Sequence, residues 1–82
     1  MSATWRKLIE KAAKTDIIIA CTLSEEELDE VFDDGFGTSE GRPFTAWSKK
    51  YVYFPVVYDG AEWVERAPRN PCKEACSHVG GQ

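Results

Sequence analysis

The dipeptide Asp59-Gly60 constrains this fold more than any other feature, because it sits between two runs of strand-forming residues, 51–58 (YVYFPVVY) and 61–67 (AEWVERA). Aromatic and β-branched residues on both sides of Asp-Gly predict a β-hairpin, since the type I′ turn that suits strand twist needs positive φ at both central positions. A two-residue turn also fixes the register. Tyr58 then faces Ala61, Val56 faces Trp63 and Phe54 faces Glu65 on one side of the sheet. The other side carries Tyr51, Tyr53, Pro55 and Val57 opposite Glu62, Val64 and Arg66. A preceding run at 44–48, turned by Lys49-Lys50, completes a three-stranded antiparallel meander. With Phe54 and Trp63 read as facing inward, Trp47 joins them if the Lys49-Lys50 loop has two residues, and Tyr51, Tyr53 and Arg66 share the outer side. Pro55 lacks an amide hydrogen, so the middle strand is expected to be bulged or open-edged there.

Two helices precede the meander. Trp5, Leu8, Ile9, Ala12 and Ala13 recur at helical spacing with Arg6, Lys7, Glu10, Lys11 and Lys14 between them, which predicts an amphipathic helix over about 3–14, capped by Ser2 or Thr4. Residues 16–21 (DIIIAC) are a short β-branched run that reads as a short strand, with Ile17 to Ile19 the candidate fourth strand of the sheet. Ser24 with Glu27 three residues on is a capping box, and Leu23 with Leu28 would form its hydrophobic staple. A second helix is therefore expected over 24–34, with Leu28, Val31 and Phe32 as its apolar face and Gly35 and Gly37 closing it. Residues 35–43 (GFGTSEGRP) read as a turn-rich connection, and 68–82 as an irregular tail.

The resulting fold class is α+β: two short helices on a three-stranded antiparallel sheet, in one domain over 1–82. A chain of 82 residues has apolar surface for only one core. Its 43% hydrophobic and 12% aromatic content makes disorder a poor description. No apolar stretch approaches the roughly 20 residues that a membrane-crossing helix needs, and residues 1–14 lack the apolar segment of a secretory signal. The expected location is the cytoplasm. A formal net charge of −4 argues against general binding of nucleic acid.

Chemistry-bearing constellations are sparse. The three cysteines are an odd count, which disfavours a disulfide framework. Cys72, Cys76 and His78 form C-x3-C-x-H, to which Cys21 could add a fourth ligand, but the second knuckle of a structural zinc site is missing. No metal and no cofactor are expected. His78 is the only imidazole and lies in a tail unsuited to holding catalytic geometry, so enzymatic turnover is not expected either. The glycines of 35–41 do not form a phosphate loop, since no G-K-[ST] follows them.

Two surfaces remain as binding candidates. Seven of the ten residues from Glu25 to Asp34 are acidic, half the acidic total of 14. The helix dipole explains Glu25 to Glu27 but not Asp33 and Asp34. A dense carboxylate row imitates a phosphate track and suits a basic patch on a partner, with Glu26, Glu30, Asp33 and Asp34 as contacts. The second surface is the outer sheet face with Tyr51, Tyr53 and Arg66, a composition typical of interface anchors.

The blocks FDDGFG, EG-x-PFTAW, VYFPVVYDG, EWV and PRNP, which span about half the chain between Asp33 and Pro71, resemble a group of small proteins of tailed bacteriophages and prophages. That resemblance implies synthesis in the host cytoplasm during infection, and it supplies no catalytic residues. Small acidic phage proteins often bind and block host factors, including CRISPR and other defence complexes, so the expected function is a non-enzymatic inhibitor of a host defence or nucleic-acid-processing complex. Its partner would be a host bacterial protein complex, without membrane or direct nucleic-acid contact, and an aromatic sheet face also allows a homodimer. One alternative is a small-ligand or nucleotide-sequestering module with a pocket of Trp47, Tyr53 and Arg66. Another is a small zinc-stabilised structural protein built on Cys72, Cys76 and His78.

Overall fold

The computed structural model describes residues 2–33 and 40–79. In chain order the elements are β1 (Ser2–Ala3), α1 (Trp5–Ala13), β2 (Ala20–Cys21), α2 (Glu25–Leu28), β3 (Phe32–Asp33), β4 (Ala46–Trp47), β5 (Tyr51–Tyr58) and β6 (Ala61–Pro68). The class is α+β as expected, but the strands form two sheets. A four-stranded antiparallel sheet has the order β2-β4-β5-β6, and β1 pairs with β3 in a two-stranded one.

The hairpin follows its sequence. Asp59 at φ 52° and Gly60 at φ 85° both take the positive values of a type I′ turn. The register of β5 on β6 runs from Tyr58↔Ala61 through Val56↔Trp63 and Phe54↔Glu65 to Tyr51↔Pro68. Because the turn makes Tyr58 and Ala61 a hydrogen-bonded pair, alternation puts Pro55 and Val64 at a non-hydrogen-bonded position. The missing proline amide would therefore point away from β6. On that side β4 pairs only with Val52 and Tyr53, so nothing in the ladder is lost at Pro55. The Lys49-Lys50 turn also has two residues, closed by the Ser48 amide donating to the Tyr51 carbonyl at 2.9 Å.

α1 begins at Trp5, two residues later than expected, because Ser2 and Ala3 are taken up by pairing with Asp33 and Phe32. Thr4 caps it, its hydroxyl accepting from the Lys7 amide at 3.3 Å. Trp5, Ile9 and Ala13 are its buried stripe. The fourth strand is only the end of the 16–21 run, Ala20–Cys21: Ile19 still donates its amide to the Trp47 carbonyl at 2.7 Å, but Ile17 to Ile19 are not part of the strand, and Ile17 and Ile19 stand 73% and 56% exposed.

The second helix is much shorter than 24–34. Its capping box is present, Ser24 Oγ accepting from the Glu27 amide at 3.1 Å and Glu27 Oε1 from the Ser24 amide at 2.9 Å. Leu28 is nevertheless the last helical residue. Beyond it the chain offers Asp29 and Glu30 to the negative end of the helix dipole, then β-prone Val31 and Phe32. The strand wins because it places the Phe32 ring on Trp5, 4.7 Å between centroids. Val31 is left 70% exposed instead of lining a helix face. The expected helix closure at Gly35 and Gly37 lies outside the described residues.

One core joins these elements: Trp5, Ile9 and Ala13 of α1, Leu28 of α2, Phe44, Ala46 of β4, Tyr53 of β5 and Val64 of β6. Trp5 is 1% exposed, stacks obliquely on Phe44 at 4.9 Å and donates its Nε1–H to the Arg42 carbonyl at 3.0 Å. The indole lies so close over Gly41 that a Cβ there would come within 2.4 Å of its Cζ2. Buried Glu62 fixes the same stretch, its carboxylate accepting from the Glu40 amide at 2.6 Å and the Gly41 amide at 3.2 Å.

Candidate binding surfaces

The alternation of side chains along β5 and β6 decides which sheet face the helices cover. Tyr53 and Val64 belong to the core with α1, so the covered face is the one with Tyr51, Tyr53, Pro55, Val57, Glu62, Val64 and Arg66. This reverses the sequence-based orientation. Tyr53, expected outside, is 0% exposed. Phe54, Trp63 and Trp47 do share a face, as expected, but it is the opposite one, together with Val52 and Val56.

Three groups therefore leave the exposed-anchor role assigned to them. The Tyr53 hydroxyl donates to Asp16 Oδ2 at 2.6 Å and accepts from Arg66 Nη1 at 3.4 Å. The Arg66 guanidinium lies 3.9 Å over the Tyr51 ring. Tyr51 is half-buried, and its hydroxyl donates to Glu74 Oε1 at 3.2 Å. Hydrogen bonds from Ser48 and Tyr53 hold the Asp16 carboxyl below the usual carboxylate range, against a smaller desolvation cost. Burial, and then the bond to Asp16, pushes the Tyr53 phenol up. Donation to Tyr53 raises Arg66.

The acidic stretch is also more structural than its composition suggested. Arg6 of α1 donates through Nε to Asp29 Oδ1 at 2.7 Å and through Nη2 to Glu25 Oε1 at 2.6 Å. Arg42 grips Glu30 with two bonds, Nε to Oε1 at 2.6 Å and Nη2 to Oε2 at 3.1 Å, and lies 3.5 Å from Glu27. The Arg42 bond lowers the Glu30 carboxyl and is itself raised in return. Of the predicted contacts, Glu26 is exposed and in no ion pair among the described residues, Glu30 is committed to Arg42, and Asp33 sits in β3 opposite Ser2. Asp34 lies outside the described residues. Six described carboxylates, Glu25, Glu26, Glu27, Asp29, Glu30 and Asp33, still outnumber Arg6 and Arg42, so the region keeps a negative excess.

No family model, no curated protein and no solved structure matches the chain. Its surfaces must speak for themselves.

The uncovered sheet face is one of them. Trp47, Val52, Phe54, Val56 and Trp63 occupy it, and no described helix packs on it. All five are half-buried. Its one charged member, Glu65, accepts from Trp63 Nε1 at 2.8 Å, which quiets both polar groups. The tail runs beside β6, leaving a hollow of about 470 Å³ between Trp63, Glu65, Arg66 and residues 74–79. Periodicity alone located this group of side chains but not the direction in which it faces.

Cys21, Cys72, Cys76 and His78 are not brought together. Among the described residues no group of three or more His, Cys, Asp or Glu is placed to hold a metal ion. Cys72 and Cys76 are exposed and Cys21 half-buried. The pocket of Trp47, Tyr53 and Arg66 does not form, since Trp47 lies on the face opposite the other two. No described helix is long and apolar enough to cross a membrane.

Proposed function

We propose that the chain is a non-enzymatic binding protein of phage origin that inhibits a host defence or nucleic-acid-processing complex in the host cytoplasm, docking through the uncovered face of the four-stranded sheet. The observation that supports this reading is the pairing of two aromatic-aliphatic faces in one small sheet, only one of them covered by the helices. A sheet needs one covered face for stability; Trp47, Phe54, Val56 and Trp63 on the second cost solubility unless a partner takes them up. Tryptophan and phenylalanine are also the side chains that dominate interface energetics.

The acidic region has a different task in this scheme. Four of its carboxylates, Glu25, Glu27, Asp29 and Glu30, are held in place by Arg6 and Arg42, which fixes most of the negative patch. Such a patch steers and orients a basic partner more than it adds affinity. Complexes that handle nucleic acid carry basic surfaces, so charge selects the class of partner and the apolar face holds it.

A phage-plating assay on a defence-proficient bacterium tests the proposal. Expression of the chain should restore plating, and Val56→Lys should abolish the rescue while the purified variant melts like the parent. Rescue by Val56→Lys at the parental level, or no rescue by the parent on any defence-proficient host, would sink it. Sedimentation supplies a second arm: a dimer dispersed by Val56→Lys would mean that a second copy, not a host protein, occupies the face.

A further inference from the structure

A second hollow, of about 530 Å³, opens where the end of α1 meets the Lys49-Lys50 turn, lined among others by Lys14, Ile17, Ile19, Lys49, Lys50, Tyr51 and Arg66. We infer that this hollow is a nucleotide site, with phosphates held by Lys14, Lys49, Lys50 and Arg66 and the base laid against Ile17 and Ile19. The inference does not rest on the sheet-face reading, because the hollow lies on the other side of the sheet, at the far end of α1 from the acidic patch.

Charge is the first support. In a chain of net charge −4, four cations line one hollow whose single carboxylate, Asp16, is already engaged by the Tyr53 hydroxyl, Ser48 and the Ile17 amide. None of the four cations is in an ion pair among the described residues, whereas Arg6 and Arg42 are both paired. Arg66 is also pre-positioned. Its stack on Tyr51 and its one bond to Tyr53 fix the guanidinium plane and leave most of its five donors available, the arrangement that receives a phosphate with two parallel bonds.

Backbone strain is the second support. Lys14 closes α1 at φ 58° and ψ −109°, a conformation that glycine accepts and that costs a lysine, yet lysine stands there. Strain kept at a charged residue on the wall of a hollow is the pattern of a binding site. The third support is apolar: Ile17 and Ile19, 73% and 56% exposed, give an aliphatic platform beside the cations, and the volume is in the range of small-molecule sites. An acidic peptide would use the cations but would leave that platform without a planar group to cover.

The full chain titrated with ADP and followed by amide NMR tests this. ADP should shift the resonances of Lys14, Ile17, Lys49, Lys50 and Arg66 saturably, more tightly than pyrophosphate or adenosine, and added salt should weaken it. Lys49→Ala with Lys50→Ala, exposed turn positions that leave the fold intact, should raise the Kd about tenfold. Lys14→Gly should weaken binding while raising Tm, because it relieves the helix end. The proposal fails if millimolar ADP shifts none of these resonances, if pyrophosphate or a polyglutamate peptide binds as tightly as ADP, or if the paired alanine variant keeps the parental Kd.

Discussion

The hydroxyl of Tyr53, on the buried face of β5, donates to Asp16 Oδ2 at 2.6 Å and so ties the centre of the sheet to the segment that follows α1. Asp16 accepts the Ile17 amide with its other oxygen, at 3.0 Å, and the Ser48 hydroxyl also serves it. The bond therefore does two things: it satisfies the one polar atom of a fully buried aromatic ring, and it sets the chain between α1 and β2 so that Ile17 and Ile19 turn outward.

This pair makes stability depend on pH at both ends of the scale. Asp16 is held below its ordinary value of 3.8, so its contribution is complete above that value and is lost as pH falls through the folded-state one. Tyr53 is raised above 10.0, so its contribution is complete below that value and is lost as pH rises through the folded-state one. Denaturant melts across the range should show both flanks. Tyr53→Phe should cost about 1 kcal/mol at neutral pH and flatten the alkaline flank. In ultraviolet titration the parent should show a phenol that ionises late, absent from the variant.

Gly41→Ala should destabilise the protein by about 1–3 kcal/mol, as overpacking does in a close-packed core. The added methyl would come within 2.4 Å of the Trp5 ring, and the indole cannot withdraw while its Nε1–H is bonded to Arg42 and its faces are packed on Phe32 and Phe44. Thermal melts followed by tryptophan fluorescence read both the lowered Tm and the displaced indole. An unchanged Tm would mean that the 40–43 stretch yields freely.

The hairpin, its register, the α1 stripe and the capping box were all legible, because each is set by residues close in sequence: Asp59-Gly60, Trp5 with Ile9 and Ala13, Ser24 with Glu27. What failed was set at a distance. Both faces of β5 and β6 are apolar enough to be core, and only the position of α1 against Tyr53 and Val64 decides between them. The carboxylates after Ser24 looked free because their partners, Arg6 and Arg42, come from before and after the helix. Helix α2 stopped early because Phe32 gains more by lying on Trp5, a pairing that no local propensity announces.

The two sheet faces should answer charge very differently. Val64→Lys buries an ammonium against α1 and should unfold the protein outright, since the carboxylate on that face, Glu62, is already committed to the Glu40 and Gly41 amides. Val56→Lys, facing outward on the neighbouring strand, should change stability by no more than about 0.5 kcal/mol and raise solubility. Circular dichroism melts of the two variants side by side provide the check. Comparable loss of structure in both would show that residues of this chain cover the second face.

Charge reversal in the acidic region separates its structural from its steering role. Glu30→Lys removes the two bonds from Arg42 and sets like charges together, so Tm should fall, and the fall should shrink at high salt because the pair is exposed. Glu26→Lys breaks no ion pair among the described residues, so its Tm should stay near the parental value while the negative patch weakens by the same two charges. Association rates with the captured host protein should therefore drop for both variants at low salt, and dissociation rates should change for neither. A faster dissociation for Glu26→Lys would place that carboxylate inside the contact rather than on the approach to it.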